Sequence, residues 1–192
     1  MVPILPYTGL DGIRAMIFVD GENLAIRYGA SLKSRNQTPP THVTNSPDIF
    51  VWTKYMNDRQ AVQGGGIVRT YYYTSVQADY PSIVDIEDQL KSAGVEAPRV
   101  FKRGKAGRSK RVDISLATDM LSHAHRHHYD VALLFAGDED YVPLVQAVQR
   151  EGCRVQLCFI PDGLSPVLVR MADGYTDVSE FLFPPVPSSL AV

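Results

Sequence analysis

The chain has 192 residues, of which 45% are hydrophobic and 21% charged, and its formal net charge is −2. This composition is typical of one soluble globular domain with an ordinary buried core. Its longest apolar runs, at 131–136 and 155–160, are far shorter than the roughly 20 residues of a membrane-spanning helix. The N-terminal sequence MVPILPYTGLDG has neither a basic segment nor a long apolar one, so we expect no secretory signal and a cytoplasmic protein.

The first third of the chain predicts a strand, two helices and a long loop between the helices. The apolar run 15–19 ends at Asp20 and predicts a buried strand, and a helix begins within 22–28 directly after it. Residues 30–47 are polar and rich in Ser, Thr, Asn and Pro, which predicts a mobile surface insertion. Asp48 is the expected N-cap of a second helix, which continues to about residue 61.

From residue 67 onward, strands alternate with helices. The predicted strands are 67–75, 98–102, 129–136, 154–160 and 176–178, and the predicted helices are 82–93, 112–123, 141–150 and 165–172. Gly94 is expected to close the helix before it, because glycine readily adopts the left-handed conformation that ends helices. The inner face of the 112–123 helix is expected to carry Ile114, Leu116, Ala117, Met120 and Leu121.

Strands that are apolar on both faces and alternate with helices predict an α/β fold, a three-layer sandwich with a mainly parallel central sheet flanked by helices. We find no repeat and no linker, so residues 1–192 are expected to form one domain. Its core spans about 15–180, and a short tail follows at 184–192. In such sheets the functional residues lie at the carboxyl ends of the strands.

Four aspartates are expected at that edge of the sheet. Asp20 closes the first strand, Asp138 and Asp140 follow the strand 129–136, and Asp113 begins a helix. Taken alone, each is an ordinary turn or N-cap residue. Together they would repel one another unless a cation lies between them, and Mg²⁺ or Mn²⁺ prefers such oxygen ligands. A metal held in this way activates water for attack on a phosphodiester.

A basic segment, KRGKAGRSKR at 102–111, lies directly before Asp113. It contains six basic residues in ten, and phosphate groups need such cations when they bind beside carboxylates. A solvated loop is the alternative interpretation. The candidates for contact with nucleic acid are Lys102, Arg103, Lys105, Arg108, Lys110 and Arg111.

Three motifs in this order resemble those of the NYN domain, a branch of the PIN-like nucleases that includes LabA-like bacterial proteins. They are FVDGEN (18–23), RVDISLATDML (111–121) and FAGDEDYVPLV (135–145), and the segment 164–178 also resembles that group. The likeness covers about 15–180. It implies a PIN-like, Rossmannoid sheet and metal-dependent ribonuclease activity.

Carried over by position, the family's metal-site acids match Asp20, Asp113, Asp138 and Asp140. Asn23 matches the family's asparagine near the first strand. Asp119 matches a commonly acidic helix position, but it lies six residues from Asp113 and therefore faces elsewhere on the helix. Ala136 stands where a serine or threonine is usual in the family.

The histidines, tyrosines and cysteines that could have a chemical function are better explained by roles in the structure. His123, His127 and His128 have a spacing that suits zinc, but cations at a helix C-terminus explain them better. The tyrosines at 71–73 are expected to pack rather than to stack on bases. Cys153 and Cys158 lie on opposite faces of one predicted strand, so we expect reduced, buried thiols.

The sequence therefore predicts a ribonuclease that acts on single-stranded RNA with Mg²⁺ or Mn²⁺. Asp20, Asp138 and Asp140 would ligate the metal, Asp113 would complete the site, and Asn23 would orient Asp20 or a metal-bound water. Two alternatives stay open: an RNA- or protein-binding regulatory module with weak or no catalysis, and a metal-dependent phosphatase. The RNA sequence, the type of cleavage, the number of metals and a homodimeric state are also left open.

Overall fold

The computed structural model describes residues 12–57, 65–77, 79–103 and 110–183. In chain order the elements are β1 (Ile13–Asp20), α1 (Gly21–Ser34), β2 (Thr44–Ser46), β3 (Phe50–Trp52), β4 (Gly65–Val76), α2 (Tyr80–Ser92), β5 (Ala97–Lys102), α3 (Lys110–His125), β6 (Val131–Phe135), α4 (Val142–Arg150), β7 (Arg154–Phe159), α5 (Pro166–Met171), β8 (Gly174–Asp177) and α6 (Ser179–Leu182). Two short 3-10 turns, Lys54–Asn57 and Glu139–Tyr141, complete the list.

Within those ranges six strands form one parallel sheet in the order β5-β4-β1-β6-β7-β8. The chain first proceeds from β1 through β4 to β5 on one side, and then from β6 to β8 on the other. The direction of winding therefore reverses next to β1. In open parallel sheets this reversal leaves a crevice outside the strand carboxyl ends, where ligands bind.

The central strand β1 contributes to a separate core on each face of the sheet. Ile17 and Val19 point toward one core, which also contains Leu24 of α1 and Trp52 of β3. Phe18 points toward the other core, which includes buried side chains of α3 and α4. A parallel sheet buried on both faces confirms the predicted three-layer α/β sandwich.

The prediction of a loop over 30–47 was wrong at both ends. Helix α1 continues to Ser34, and β2 pairs with β3 in an antiparallel hairpin, so within 30–47 only 35–43 and residue 47 lack regular structure. The last turns of α1 are retained because Leu32 is buried and the Ser31 hydroxyl donates a 2.8 Å hydrogen bond to Asp162. These are tertiary contacts, and the polar composition of the segment does not reveal them.

The helix predicted from Asp48 to about residue 61 was also wrong. Asp48 has φ +57° in the turn of the hairpin, and Phe50–Trp52 is a fully buried strand. The hydroxyl of Tyr72 donates to the carbonyl of Val51 at 3.1 Å and accepts from its amide at 3.0 Å. A side chain thus replaces the hydrogen bonds of a neighbouring strand. Residues 58–61 lie outside the described part of the chain.

The elements from β4 to β8 agree with the prediction to within a few residues, and α6 was not predicted. Gly94 ends α2 with φ +95°. Ile114 was wrongly expected on the inner side of α3, since 64% of its surface is exposed.

Cys153 and Cys158 are free and buried, and burial raises the pKa of Cys158 to about 12. None of the helices in the described ranges is long and apolar enough to cross a membrane.

Candidate active site

The four predicted aspartates line one cavity of about 500 Å³ at the point where the sheet reverses its direction of winding. Asp20 is the last residue of β1, and Asp138 follows β6, the neighbour of β1. Between β6 and Asp138 the chain passes through Gly137, where a Cβ would come within 2.5 Å of the Phe159 ring. Close packing at this turn therefore requires glycine.

Asp20 is the most buried of the four aspartates, with 5% of its surface exposed. One carboxylate oxygen accepts a 3.0 Å hydrogen bond from the backbone amide of Asn23, and the other accepts a 2.9 Å bond from the Tyr141 hydroxyl. The pKa of Asp20 is raised to about 7, mainly by burial. The two hydrogen bonds lower this pKa, and the charges of Asp113 and Glu22 add to the rise. Below about pH 7 this carboxyl group therefore holds a proton for most of the time, and a bound cation would displace that proton.

Tyr141 connects two of the aspartates, a role that the sequence did not reveal. Its buried hydroxyl lies 2.9 Å from Asp20 and 3.3 Å from Asp113. Burial and these two carboxylates hold the pKa of Tyr141 well above its ordinary value, so the hydroxyl keeps its proton. In the sequence, Tyr141 is marked only by its position directly after Asp140 at the start of a helix. A residue of the hydrophobic core is equally common at such a position, so the sequence does not indicate a role in the site.

Asp138 and Asp140 are more accessible than Asp20. Asp138 is half-buried and caps the 3-10 turn Glu139–Tyr141, with a 3.4 Å hydrogen bond from the amide of Asp140. Asp140 is exposed, and both side chains line the cavity. Asp138 thus has the ordinary capping role that the sequence allows, and it also lines the same cavity as Asp20.

Asn23 ties the ends of two neighbouring strands together. Its side-chain oxygen accepts a 3.1 Å hydrogen bond from the amide of Gly137, and its own amide donates to Asp20. Asn23 therefore orients Asp20 through its backbone, whereas its side chain holds the turn that leads to Asp138. Its predicted contact with a metal-bound water stays a prediction.

The predicted basic residues have different surroundings. Lys102 and Arg111 are exposed, whereas Arg103 forms a 3.0 Å ion pair with Glu22, a cavity residue that the sequence did not suggest. Lys105 and Arg108 lie outside the described residues, and Lys110 is the first residue of α3. Of the predicted basic residues whose side chains are described, Lys102 and Arg111 are the exposed ones.

Part of the cavity wall is apolar. Helix α3 contributes Ile114, Ala117 and Leu121, and α4 contributes Pro143, Leu144 and Ala147. The α3 residues recur at helical spacing and so form one stripe along the cavity. A ligand that fills this cavity therefore meets both carboxylates and hydrocarbon.

The donor atoms of the site are all oxygens, which suits a hard cation such as Mg²⁺ or Mn²⁺ better than zinc. The high pKa of Asp20 is what a buried carboxylate shows when no cation compensates its charge. Across residues 12–57, 65–77, 79–103 and 110–183, however, no group of three or more His, Cys, Asp or Glu side chains is arranged so that it could hold a metal ion. The fit therefore rests on the chemistry of the donors, and metal binding stays a prediction.

Side chains that were interpreted as structural lie away from this cavity. Asp119 accepts a 2.8 Å hydrogen bond from the Tyr73 hydroxyl and does not line the cavity. Tyr72 and Tyr73 are fully buried, in agreement with a packing role. His123 contacts His128 at the far end of α3, with 2.8 Å between their Nδ1 atoms.

Comparison with known proteins agrees with this architecture. The family model of the NYN domain matches residues 14–180. Among solved structures, the fold is similar to that of VPA0982, a protein of unknown function from Vibrio parahaemolyticus RIMD 2210633, with a TM-score of 0.63 and 19% sequence identity. That alignment covers 92% of this chain and 99% of the other. No curated protein matches the sequence.

Proposed function

This chain belongs to the NYN domain family, and we propose that it is a metal-dependent ribonuclease of the PIN-like type that hydrolyses phosphodiester bonds in single-stranded RNA. The observation that supports this most strongly is the meeting of Asp20, Asp113, Asp138 and Asp140 in one cavity at the winding reversal of the sheet. Carboxylates crowded in this way destabilise a fold, and a carboxyl group with a strongly raised pKa, such as that of Asp20, is typical of a functional site.

In this proposal the four aspartates hold one or more Mg²⁺ or Mn²⁺ ions. When bound, the metal supplies an acidified water and neutralises charge that develops on the phosphodiester. Asp20 would be the least mobile ligand, because Asn23 and Tyr141 each hold one of its carboxylate oxygens. Asp138 and Asp140 are more accessible than Asp20, so a substrate can reach them more easily.

The apolar lining of the cavity and the exposed cations near it in the chain suit a polynucleotide. The exposed cations Lys102 and Arg111 can bind backbone phosphates, and the apolar stripe of α3 and α4 can contact a base or ribose. Bases in a duplex are paired and stacked, so their faces reach such a surface only after unpairing. Single-stranded RNA is therefore the expected substrate.

The test is cleavage of an end-labelled single-stranded RNA with Mn²⁺ or Mg²⁺, and then with EDTA. The wild type is expected to cleave in a metal-dependent manner, and Asp138→Asn is expected to lose this activity. Asp88→Asn is a matched control, because Asp88 is an exposed residue of α2 that does not line the cavity. Equal, EDTA-insensitive cleavage by the wild type and Asp138→Asn would contradict the proposal. Turnover of a nitrophenyl phosphate without competition from RNA would favour a phosphatase instead.

One observation favours a second candidate, an RNA-binding module without turnover. In the part of the chain that the structure describes, the acidic side chains do not form a ready-made metal cage. This candidate predicts tight RNA binding with no cleavage under any metal. Isothermal titration with Mn²⁺ separates the two, because the ribonuclease must bind the metal and lose that binding in Asp138→Asn.

A further inference from the structure

Three polar side chains close a hydrogen-bonded ring beside the cavity. Glu22 lies in the first turn of α1, Ser75 near the end of β4, and Arg103 directly after β5. A guanidinium nitrogen of Arg103 lies 3.0 Å from Glu22 Oε1, and its Nε donates to the Ser75 hydroxyl at 3.1 Å. The Ser75 hydroxyl in turn donates to Glu22 Oε2 at 2.8 Å. Each of the three residues thus contacts the other two.

The ring is held from the backbone as well. The amide of Arg103 donates to the carbonyl of Val76 at 2.8 Å, which continues the β4–β5 ladder beyond the end of β5. A terminal guanidinium nitrogen also donates to the carbonyl of Ser75 at 3.0 Å. Because both its backbone and its guanidinium are engaged, Arg103 is directed inward, although it belongs to the same basic segment as the exposed Lys102.

The ring compensates a charge that would otherwise be costly. The side chain of Glu22 is only 9% exposed and that of Arg103 is 24% exposed. A carboxylate at this depth needs a charged or hydrogen-bonding partner, because its hydration has been lost. Glu22 also lines the cavity together with Asp20. The position of the Glu22 carboxylate therefore affects the distribution of negative charge in the cavity.

We propose that Arg103 is a positioning residue for the acidic site and not a ligand of the substrate phosphate. Through its ion pair and through Ser75 it fixes the Glu22 carboxylate at the wall of the cavity, beside Asp20. This inference rests on the proposed ribonuclease function for its effect on catalysis. The pairing of Arg103 with Glu22 can be tested without any nuclease activity.

The first experiment measures how binding of a labelled single-stranded RNA depends on salt concentration. Each phosphate contact contributes about 0.7 to the slope of log K against log salt for a single strand. Arg111→Gln, the matched control at an exposed cation, is expected to lower the slope by about that amount. Arg103→Gln is expected to leave the slope unchanged. A loss of about 0.7 in Arg103→Gln would show a phosphate contact and overturn the inference.

The same variants separate positioning from binding in the cleavage assay. Arg103→Gln is expected to lower kcat about tenfold or more with little change in KM, as loss of a supporting contact around a metal site does. Arg103→Lys is expected to recover only part of this loss, because an ammonium group lacks the planar fork that serves Glu22 and Ser75 together. A raised KM with unchanged kcat would contradict the positioning role.

The second experiment is a double-mutant cycle on thermal unfolding, with Glu22→Gln, Arg103→Gln and the double variant. Breaking the buried pair in Arg103→Gln is expected to lower Tm by about 5 °C or more. In the double variant, Glu22→Gln is expected to restore part of that loss, because no buried charge then lacks a partner. Strictly additive shifts would overturn the inference. Coupled shifts in a protein that cleaves no RNA would overturn the proposed function alone.

Discussion

The two ends of helix α3 both carry crowded polar side chains, but these side chains are partnered in different ways. At the N-terminal end, Asp113 shares the hydroxyl of Tyr141 with Asp20, so two carboxylates compete for one donor. At the C-terminal end, His123 contacts His128 through one ring nitrogen and the Tyr71 hydroxyl, at 3.0 Å, through the other. The first end concentrates like charges, whereas the second pairs groups that can all be neutral.

Burial shifts the pKa in opposite directions at the two ends, because it favours the neutral form of an acid and of a base alike. It raises the pKa of Asp20 to about 7 and lowers the pKa of His123 below its ordinary value. The acidic end lines a cavity of about 500 Å³, and the crowded carboxylates there repel one another when they are ionised. We therefore interpret the acidic end as functional and the histidine end as structural.

The largest expected effect follows from Asp20→Asn. Removal of the most buried candidate ligand is expected to lower RNA cleavage by more than about 100-fold, beyond what loss of a supporting residue costs. Mn²⁺ is expected to raise the Tm of the wild type but not that of the variant. Asp88→Asn is again the control. Undiminished cleavage by Asp20→Asn would remove this aspartate from the site.

The same variant is expected to change the dependence of stability on pH. The pKa of Asp20 is about 7 in the fold and about 3.8 in the unfolded chain, so the folded protein retains a proton that the unfolded chain releases. The free energy of unfolding should therefore fall as pH rises from about 4 to about 7, and level off above that. In Asp20→Asn, without metal, this fall is expected to shrink by a few kcal/mol, as measured by urea unfolding at pH 5 and pH 8.

The next largest effect is expected from Tyr141→Phe, which removes the hydroxyl between Asp20 and Asp113 but keeps the ring. Cleavage is expected to fall about 10- to 100-fold, because the two carboxylates lose their common donor. Tyr129→Phe is the matched control at the other end of α3, where the buried hydroxyl donates to the carbonyl of Met120 at 2.9 Å. That control should lose about 1 kcal/mol of stability and no activity. Equal activity losses in both would indicate a general structural effect.

A smaller effect is expected at the apolar wall of the cavity. Ile114 is 64% exposed in the free protein, so Ile114→Ser should leave Tm unchanged. If a base or ribose covers this side chain, the variant loses about 1 kcal/mol of binding, which raises KM for RNA about fivefold. Val84→Ser, at an exposed position of α2, should leave KM unchanged. An unchanged KM in Ile114→Ser would place the substrate elsewhere.

The smallest effect on activity is expected at the histidine end. His123→Asn should cleave RNA within about twofold of the wild type, because it lies away from the cavity. Burial is the main cause of the lowered pKa of His123, and the charges of His128, Arg126 and Arg69 lower it as well. The charge of Asp119 acts in the opposite direction. The stability that depends on neutral His123 is thus fully present above pH 6.5 and is lost as pH falls below that value. Tm measured from pH 8 to pH 5 should show this acid-side loss in the wild type and less of it in the variant.

Much of the fold was evident from local sequence. Apolar runs that end at Asp20 and just before Asp138 predict buried parallel strands, and the alternation after residue 67 predicts the helices between them. Because the carboxyl ends of parallel strands lie at one edge, these patterns also predict that Asp20, Asp138 and Asp140 meet. Such features depend on residues close together in the chain, so the sequence alone determines them.

The remaining features depend on contacts between residues far apart in the chain. The hairpin around Asp48 forms because Tyr72 satisfies the backbone of Val51, and no local pattern predicts that pairing. Tertiary packing likewise places the Tyr141 hydroxyl between two carboxylates and leaves Ile114 exposed. Arg103 is paired with Glu22, 81 positions earlier in the sequence, because β4, β5 and the start of α1 meet at the same edge of the sheet. The sequence alone thus determined which acids meet, and only the tertiary structure decided which side chains hold them.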